Sequence, residues 1–304
     1  MRRGSGLNVL GVIFGILSIL IVISVAAILL GKQPFSLPID FRFDFRTDHM
    51  EDIFRGNEVE ESGKKEFHED FNSIFVENIA GNIEIDAWPE DFIGIDYTKS
   101  APDQNYLDNL VVEIEEKGRT LKIERDFIGE GISPRGRIDF RIHIPRDRIS
   151  DIYAKSVNGS IVCMNMSSEI DQELQTTSSR IETDASNNLF AKTISGEIKF
   201  ISTGKNVEIR STSGRVDWEY GTTGRNRGID IPTVSGAVRL ILPDKFQGHV
   251  DLRSISGSVD SDFQVDVRSA KRNSLEGDIG DGGTSIDINT TTGSIRLIKA
   301  SGNE

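Results

Sequence analysis

Cysteine is nearly missing from this chain. Cys163 is the only one in 304 residues, so no intrachain disulfide can form and the fold must be held by packing alone. In the apolar run IVCM a lone thiol reads as a small buried hydrophobe rather than a nucleophile. Histidine is sparse too: His49, His68, His143 and His249 are the four present. None lies in a motif that would supply a base to a serine, which argues against nucleophilic hydrolysis. Positive charge is in deficit, with a net charge of −13. That balance disfavours nucleic acid as a partner and disfavours a second electrostatic grip on anionic lipid. Beyond the first thirty residues there is no convincing helical period.

Those first thirty residues stand apart. From Leu7 to Leu30 the chain reads LNVLGVIFGILSILIVISVAAILL, 24 residues without a charge. As a helix the run would span about 36 Å, enough to cross a hydrocarbon core of roughly 30 Å. Arg2 and Arg3 precede it, so the N-terminus is expected in the cytoplasm and the bulk of the chain outside it. Val25-Ala26-Ala27 could serve as a signal-peptide cleavage site, but the apolar run exceeds the usual ~7–15 residues, and an uncleaved anchor is the expectation. No cysteine follows the run, which disfavours a lipoprotein. Residues 1–31 are therefore read as cytoplasmic tip and transmembrane anchor in a cell membrane. Residues 32–65 read as an acidic linker: between Asp40 and Asp70 there are eleven acidic and five basic residues. Within it FRFDF (41–45) alternates, as a stray strand or an interfacial contact would.

From Glu66 to Glu304 the pattern changes to short alternating strands, and a repeat emerges. NIAGNIEI surrounds Gly81, SVNGSIVC Gly159, TISGEIKF Gly196, STSGRVDW Gly214, TVSGAVRL Gly236, SISGSVDS Gly257 and TTTGSIRL Gly293; TTSSRIET carries Ser179 where the others have glycine. From 159 to 257 the steps are 20, 17, 18, 22 and 21 residues, and the last step, to 293, is 36. That last step equals about two periods, with Gly277 marking a missing corner. Strand repeats of this length predict an all-β, β-helix-like solenoid of ~20-residue coils, each burying its inner face against its neighbours.

Parity explains the eight corner positions. Before Gly214, Val207 and Ile209 occupy odd positions; after it, Val216 and Trp218 occupy even ones. A change of parity requires a bend, and glycine tolerates positive φ and a close approach of the next coil. Thr193 and Ser195, Ser211 and Ser213, Thr233 and Ser235, Ser254 and Ser256, and Thr290 and Thr292 are expected to line the inner corner as hydroxyl ladders.

Chemistry-bearing patterns are few. STSGR has neither the following helix nor the Lys-Ser/Thr of a phosphate loop. Asp217 with Glu219, and Asp260 with Asp262, could supply the paired carboxylates of a polysaccharide hydrolase, but in strands they read as solvent-facing residues. GDIGDGG (277–283) lacks regular calcium-loop spacing and reads as a glycine-rich turn. Of the aromatic residues that could form a glycan platform, Trp88, Trp218 and Tyr220, parity turns the last two inward.

The repeated T-x-S-G-x-V/I segments, together with FVENIAGNIEIDAWPEDFIGIDYTKSA (75–101), RIDFRIHIPRD (137–147) and GDGGTSIDINTTTGSIRL (280–297), resemble the DUF4097 adhesin-like β-strand-repeat family of bacteria over about 66–300. The resemblance implies an exported β-solenoid-like domain tethered by one transmembrane helix. Some relatives, the LiaG type among them, are associated with envelope stress. It carries over no catalytic residue, cofactor or metal. The expectation is a non-enzymatic interaction or scaffold module, with a membrane anchor at 7–30 and an envelope protein or cell-wall glycan as partner. An adhesin or glycan-binding domain is the alternative, and an envelope polysaccharide hydrolase or lyase the distant one.

Overall fold

The computed structural model of the chain describes residues 58–128, 136–202, 205–220 and 228–300. The expected anchor at 7–30 and the FRFDF strip lie outside the described residues, as does the linker up to residue 57. No helix among the described residues is long and apolar enough to cross a membrane.

The chain opens with β1 (Val59–Phe67), β2 (Ser73–Ala80), β3 (Ile83–Trp88) and β4 (Ile93–Ala101). A one-turn helix α1 (Gln104–Asp108), β5 (Leu110–Lys117), β6 (Thr120–Phe127) and β7 (Arg137–Pro145) follow. The repeats supply β8 (Asp151–Asn158), β9 (Ile161–Met164), β10 (Asp171–Thr176), β11 (Ile181–Thr183), β12 (Asn188–Thr193) and β13 (Ile198–Ser202). They continue with β14 (Asn206–Ser211), β15 (Val216–Tyr220), β16 (Gly228–Thr233) and β17 (Val238–Leu242). Last come β18 (Gly248–Ser254), β19 (Val259–Ser261), β20 (Asp266–Lys271), β21 (Ser274–Ile279), β22 (Thr284–Thr290) and β23 (Ile295–Lys299).

These strands form two long mixed sheets. The eleven-stranded sheet runs β1-β4-β7-β3-β9-β11-β13-β15-β17-β23-β19, and the twelve-stranded sheet runs β20-β21-β18-β22-β16-β14-β12-β10-β8-β2-β6-β5. Each coil gives one strand to each sheet and pairs in parallel with its neighbours, as β12 does with β10 and β14. The inward set is in register from coil to coil. Ile152, Gln172, Leu189, Val207, Ile229, Ile286 and Val250 form one row of the larger sheet. Ile161, Ile181, Ile198, Val216, Val238 and Ile295 form one row of the smaller. Trp218 is 1% exposed and stacks 6.3 Å from Phe200, while Tyr220 is half-buried beside it.

Coil order in space departs from order in sequence at both ends. The β6/β7 coil stacks outside β2/β3, whereas β8/β9 stacks on the other side. At the far end β22/β23 is inserted between β16/β17 and β18/β19. The 36-residue step is therefore not a skipped coil. Gly277 is no corner: it lies within β21, antiparallel to both β18 and β20. The intervening residues form a hairpin along the edge of the larger sheet, and the chain then returns inward.

Two short elements carried no apolar period. β1, which takes in residues 59–65 of the expected linker, pairs antiparallel with β4 from Val59↔Ala101 to Phe67↔Ile93. Its sequence VEESGKKEF is mostly exposed, so backbone hydrogen bonds rather than side-chain burial hold it, as suits a charged edge strand. α1 is capped by Asp103, whose side chain accepts from the Tyr106 N–H at 2.8 Å, and it buries only Leu107.

Candidate functional site

The corner residues form one line. In stacking order it runs Gly81, Gly159, Ser179, Gly196, Gly214, Gly236, Gly293, Gly257. A Cβ added at Gly214 would lie 1.7 Å from the carbonyl oxygen of Gly196; at Gly293 it would lie 1.8 Å from that of Gly236, and at Gly257 2.0 Å from that of Gly293. Of the corner glycines only Gly81 has positive φ, at 104°. Close approach, not a left-handed backbone, is what demands glycine along this line. Nothing in the structure explains why Ser179 replaces it in one coil.

The hydroxyl pairs split in two. Thr193, Ser211, Thr233, Ser254 and Thr290 are buried, and each accepts the N–H of the glycine three residues on, at 2.8–3.1 Å. Ser195, Ser213, Ser235, Ser256 and Thr292, expected inside, are exposed. Their hydroxyls donate to carbonyls of the adjacent coil, as Ser213 does to Ile194 at 3.1 Å and Ser235 to Thr212 at 3.2 Å. Two successive outward residues, Thr212 and Ser213, produce the change of parity. Ser213 thus serves the backbone rather than a substrate.

The remaining chemistry-bearing residues are dispersed. Cys163 is fully buried, and that burial pushes its thiol well up, away from the reactive thiolate. Asp217, Arg239, Arg296 and Asp260 form one row across β15, β17, β23 and β19. The two carboxylates are thus three strand spacings apart, about 14 Å, beyond the ~5–10 Å of a glycosidase pair. Asp217 accepts from Arg239 at 2.9 Å, and Glu219 and Asp262 are exposed. His143 stacks on Trp88 at 4.8 Å. His249 lies between Ser285 and Asp278 in register, with Nδ1 2.8 Å from Asp278, but no hydrogen bond joins it to Ser285 among the described residues. Gly277–Ile279 of the glycine-rich segment end β21, and the rest is a turn, with φ of 61°, 79° and 144° at Gly280, Gly282 and Gly283. No group of three or more His, Cys, Asp or Glu among the described residues is placed to hold a metal.

A long concave surface lies elsewhere, on the outward face of the larger sheet. An open trough of about 840 Å³ extends from Thr120 to Ser285, across β6, β2, β8, β10, β12, β14, β16 and β22. Its floor is a row in register: Phe75, Tyr153, Glu173, Phe190, Glu208, Asp230, Asp287. Phe75 and Tyr153 stack at 4.5 Å, nearly parallel; Lys122 covers Phe75 and Arg210 covers Phe190, each at 5.6 Å. Beside this row, Asn206 donates to Asn188 at 2.7 Å, and Asn188 to Asp171 at 2.9 Å. Partial burial raises the Tyr153 hydroxyl pKa. The arrangement offers ring edges, carboxylates and amides at strand spacing, suited to hydrogen-bonding an extended polar chain lying across the strands. Each aromatic sits between two inward apolar residues, in IFV, IYA and LFA. That outward-aromatic pattern is the signal that could have found the row.

At the acidic end of the row, burial and then crowding of carboxylates disfavour the charged forms. Asp230 is held above the usual carboxylate range by burial and then by Glu208; Asp287 is held there by burial and then by Asp251 and Asp230. A raised folded-state pKa favours folding below the unfolded value, and that contribution is lost as pH rises through the folded value. At neutral pH both groups therefore oppose folding. Asp230→Asn combined with Asp287→Asn is expected to raise Tm at pH 7, with the gain shrinking toward zero below the ordinary carboxylate range. Thermal unfolding followed across pH 3–8 checks this, and a gain that persists unchanged in acid contradicts it.

Residues 173–297 match the family model described as Toastrack DUF4097. Among solved structures, a provisionally named cell-adhesion protein of Clostridium sporogenes ATCC 15579 is 14% identical, with a TM-score of 0.37, covering 80% of this chain and 100% of that one. A provisionally named adhesin of Bacteroides fragilis NCTC 9343 is 14% identical at a TM-score of 0.40, covering 79% and 97%. A provisionally named lipid-binding protein of Parabacteroides distasonis ATCC 8503 is 16% identical at 0.39, covering 81% and 98%. No curated protein matches. The family match takes in the repeated coils from β10 to β23, and it is these coils that are similar to the Toastrack DUF4097 family.

Proposed function

We propose that the chain is a non-enzymatic, adhesin-like binding module of the bacterial cell envelope, a β-solenoid tethered outside the cytoplasm by segment 7–30. The trough carries the reading. Its eight strands at ~4.8 Å spacing give about 34 Å of continuous hydrogen-bonding surface, the dimension of an extended polymer rather than of a small metabolite. The ligand class is an extended polar chain such as a cell-wall glycan. Carboxylates and amides meet its hydroxyls, and the edges of Tyr153 and Phe190 meet its apolar faces. Association with an envelope-stress circuit is the finer part of the proposal and rests on the family resemblance.

Full-length protein is expected to be retained by purified cell-wall glycan without releasing soluble sugar. Phe190→Ala combined with Glu173→Gln should weaken retention about tenfold, roughly the effect of losing one aromatic contact and one hydrogen bond, with the β-sheet circular dichroism unchanged. Unchanged retention by this variant would sink the trough as the binding surface, and liberation of soluble sugar would sink the non-enzymatic reading.

A further inference from the structure

The corners also have an outer side. Two residues before each corner position, a β-branched side chain points away from the domain. Ile79, Val157, Ile194, Val234 and Ile255 occupy this position in five coils, and threonines occupy it in the coils between. These five are the majority of the eight large hydrophobic residues exposed among the described residues, and the last three are 50%, 51% and 74% exposed. They share one line because the corners share one line.

The corner itself does not require them. The residue before each of these positions caps the glycine N–H from inside in most coils, the residue after it ties its hydroxyl to the next coil, and threonine serves at the same place in alternate coils. An exposed apolar line with no structural duty marks a contact surface. Its flanks carry the opposite charge to the protein as a whole. On the larger sheet, Lys155, Lys192, Arg210 and Arg253 lie two residues before the line. On the smaller, Arg180 and Arg215 lie three residues after it. Glu77 and Glu197 are the acidic residues at these same positions. Six cations and two anions occupy these flanking positions, in a chain of net −13. Four of the cations meet carboxylates on the outer faces, the buried Glu182 among them, so the free positive charge beside the line is carried by the other two. Lys192 and Arg215 have no ion-pair partner among the described residues.

We propose that this ridge rests on an anionic membrane surface. A second copy is a poorer fit, because a stable protein interface needs about 800 Å² per partner and a ridge one residue wide offers far less. A headgroup layer closes around a ridge: the aliphatic tips enter the acyl boundary while lysine and arginine stay among the phosphates. Net charge alone disfavours such a grip; the two cations without an ion-pair partner, Lys192 and Arg215, supply it locally at the corners. The proposal rests on the anchor of the proposed function for one element, the high local concentration that a tether at 7–30 provides.

Because Cys163 is buried, a single introduced cysteine can be labelled selectively. Full-length Val234→Cys, carrying a polarity-sensitive fluorophore, is mixed with phosphatidylcholine vesicles, with or without phosphatidylglycerol, and floated. The expected result is a blue shift on the anionic vesicles, absent for a label at Glu219→Cys. Lys192→Glu with Arg215→Glu, or high salt, should at least halve it. Flotation on both vesicle types without a shift at 234 overturns the ridge and leaves the anchor standing. Flotation on anionic vesicles alone, with the shift, supports the ridge and overturns the anchor; no flotation on either overturns both. A shift that grows with protein concentration in the absence of lipid assigns the ridge to a second copy and overturns the membrane proposal.

Discussion

Gly214→Val is expected to leave no cooperatively folded domain. The added Cβ would sit 1.7 Å from the Gly196 carbonyl oxygen, so the coils must part by more than an ångström. That displacement breaks the bonds clustered at the corner. They include Ser213 N–H to Ile194 O at 2.8 Å, Ile198 N–H to Arg215 O at 2.9 Å and Thr212 N–H to Thr193 O at 3.3 Å. Buried polar groups left unpaired cost about 1–3 kcal/mol each, and two or three of them consume much of a typical stability of ~5–15 kcal/mol. Ser213→Ala removes one exposed hydroxyl bond and should cost no more than about 1 kcal/mol. Gly228→Ala provides the control: nothing lies within 4 Å of its added Cβ, and the variant should match or slightly exceed wild type. Denaturant unfolding followed by circular dichroism ranks the three. A Gly214→Val protein with a wild-type midpoint would refute the close-approach account of the corner.

Removing β22 and β23, by ending the chain after Gly283, should have a similarly large effect. In a stack ordered as the sequence is, loss of the last coil would uncover one interface and leave the rest intact. Here β22 pairs with both β16 and β18, and β23 with both β17 and β19. Deletion also removes Ile286, Ile288, Ile295 and Leu297, all fully buried. At ~1.5–3 kcal/mol each, four such side chains amount to about 6–12 kcal/mol, the scale of a whole domain's stability. The expected result of hydrogen exchange is loss of amide protection through 248–279 as well as in the coils next to the gap. Unchanged protection there would mean that β18/β19 packs directly on β16/β17, and the inserted coil would be wrong.

The corner line was legible before any fold was known. Ser-Gly and Thr-Gly recur at coil spacing, and the inward parity switches across each of them. Even so, only half of each hydroxyl pair is where alternation places it, because two outward residues in succession, such as Thr212 and Ser213, interrupt the strand period. The demand for glycine was legible, but its cause was not. Positive φ is local and can be argued from a turn, whereas a carbonyl 1.7 Å from an absent Cβ belongs to another coil. The row Phe75, Tyr153, Glu173, Phe190 is encoded in four strands that no local motif joins. β1 was invisible because it is mostly charged and exposed with no apolar alternation, and its pairing with β4 is made by the backbone.

The sequence by itself determined an all-β chain of repeated corners and a buried, unreactive Cys163. Both follow from period, residue type and spacing along the chain. Only the tertiary structure decided which coil lies beside which. The coils of Gly257 and Gly293 present the same glycine corner and similar apolar inner rows, so Gly236 could be followed in space by either with equal local chemistry. The choice of Gly293 comes from the β20–β21 hairpin, which carries the chain past one coil and back. With that choice came the separation of Asp217 from Asp260, the continuity of the outer trough, and the straight exposed ridge.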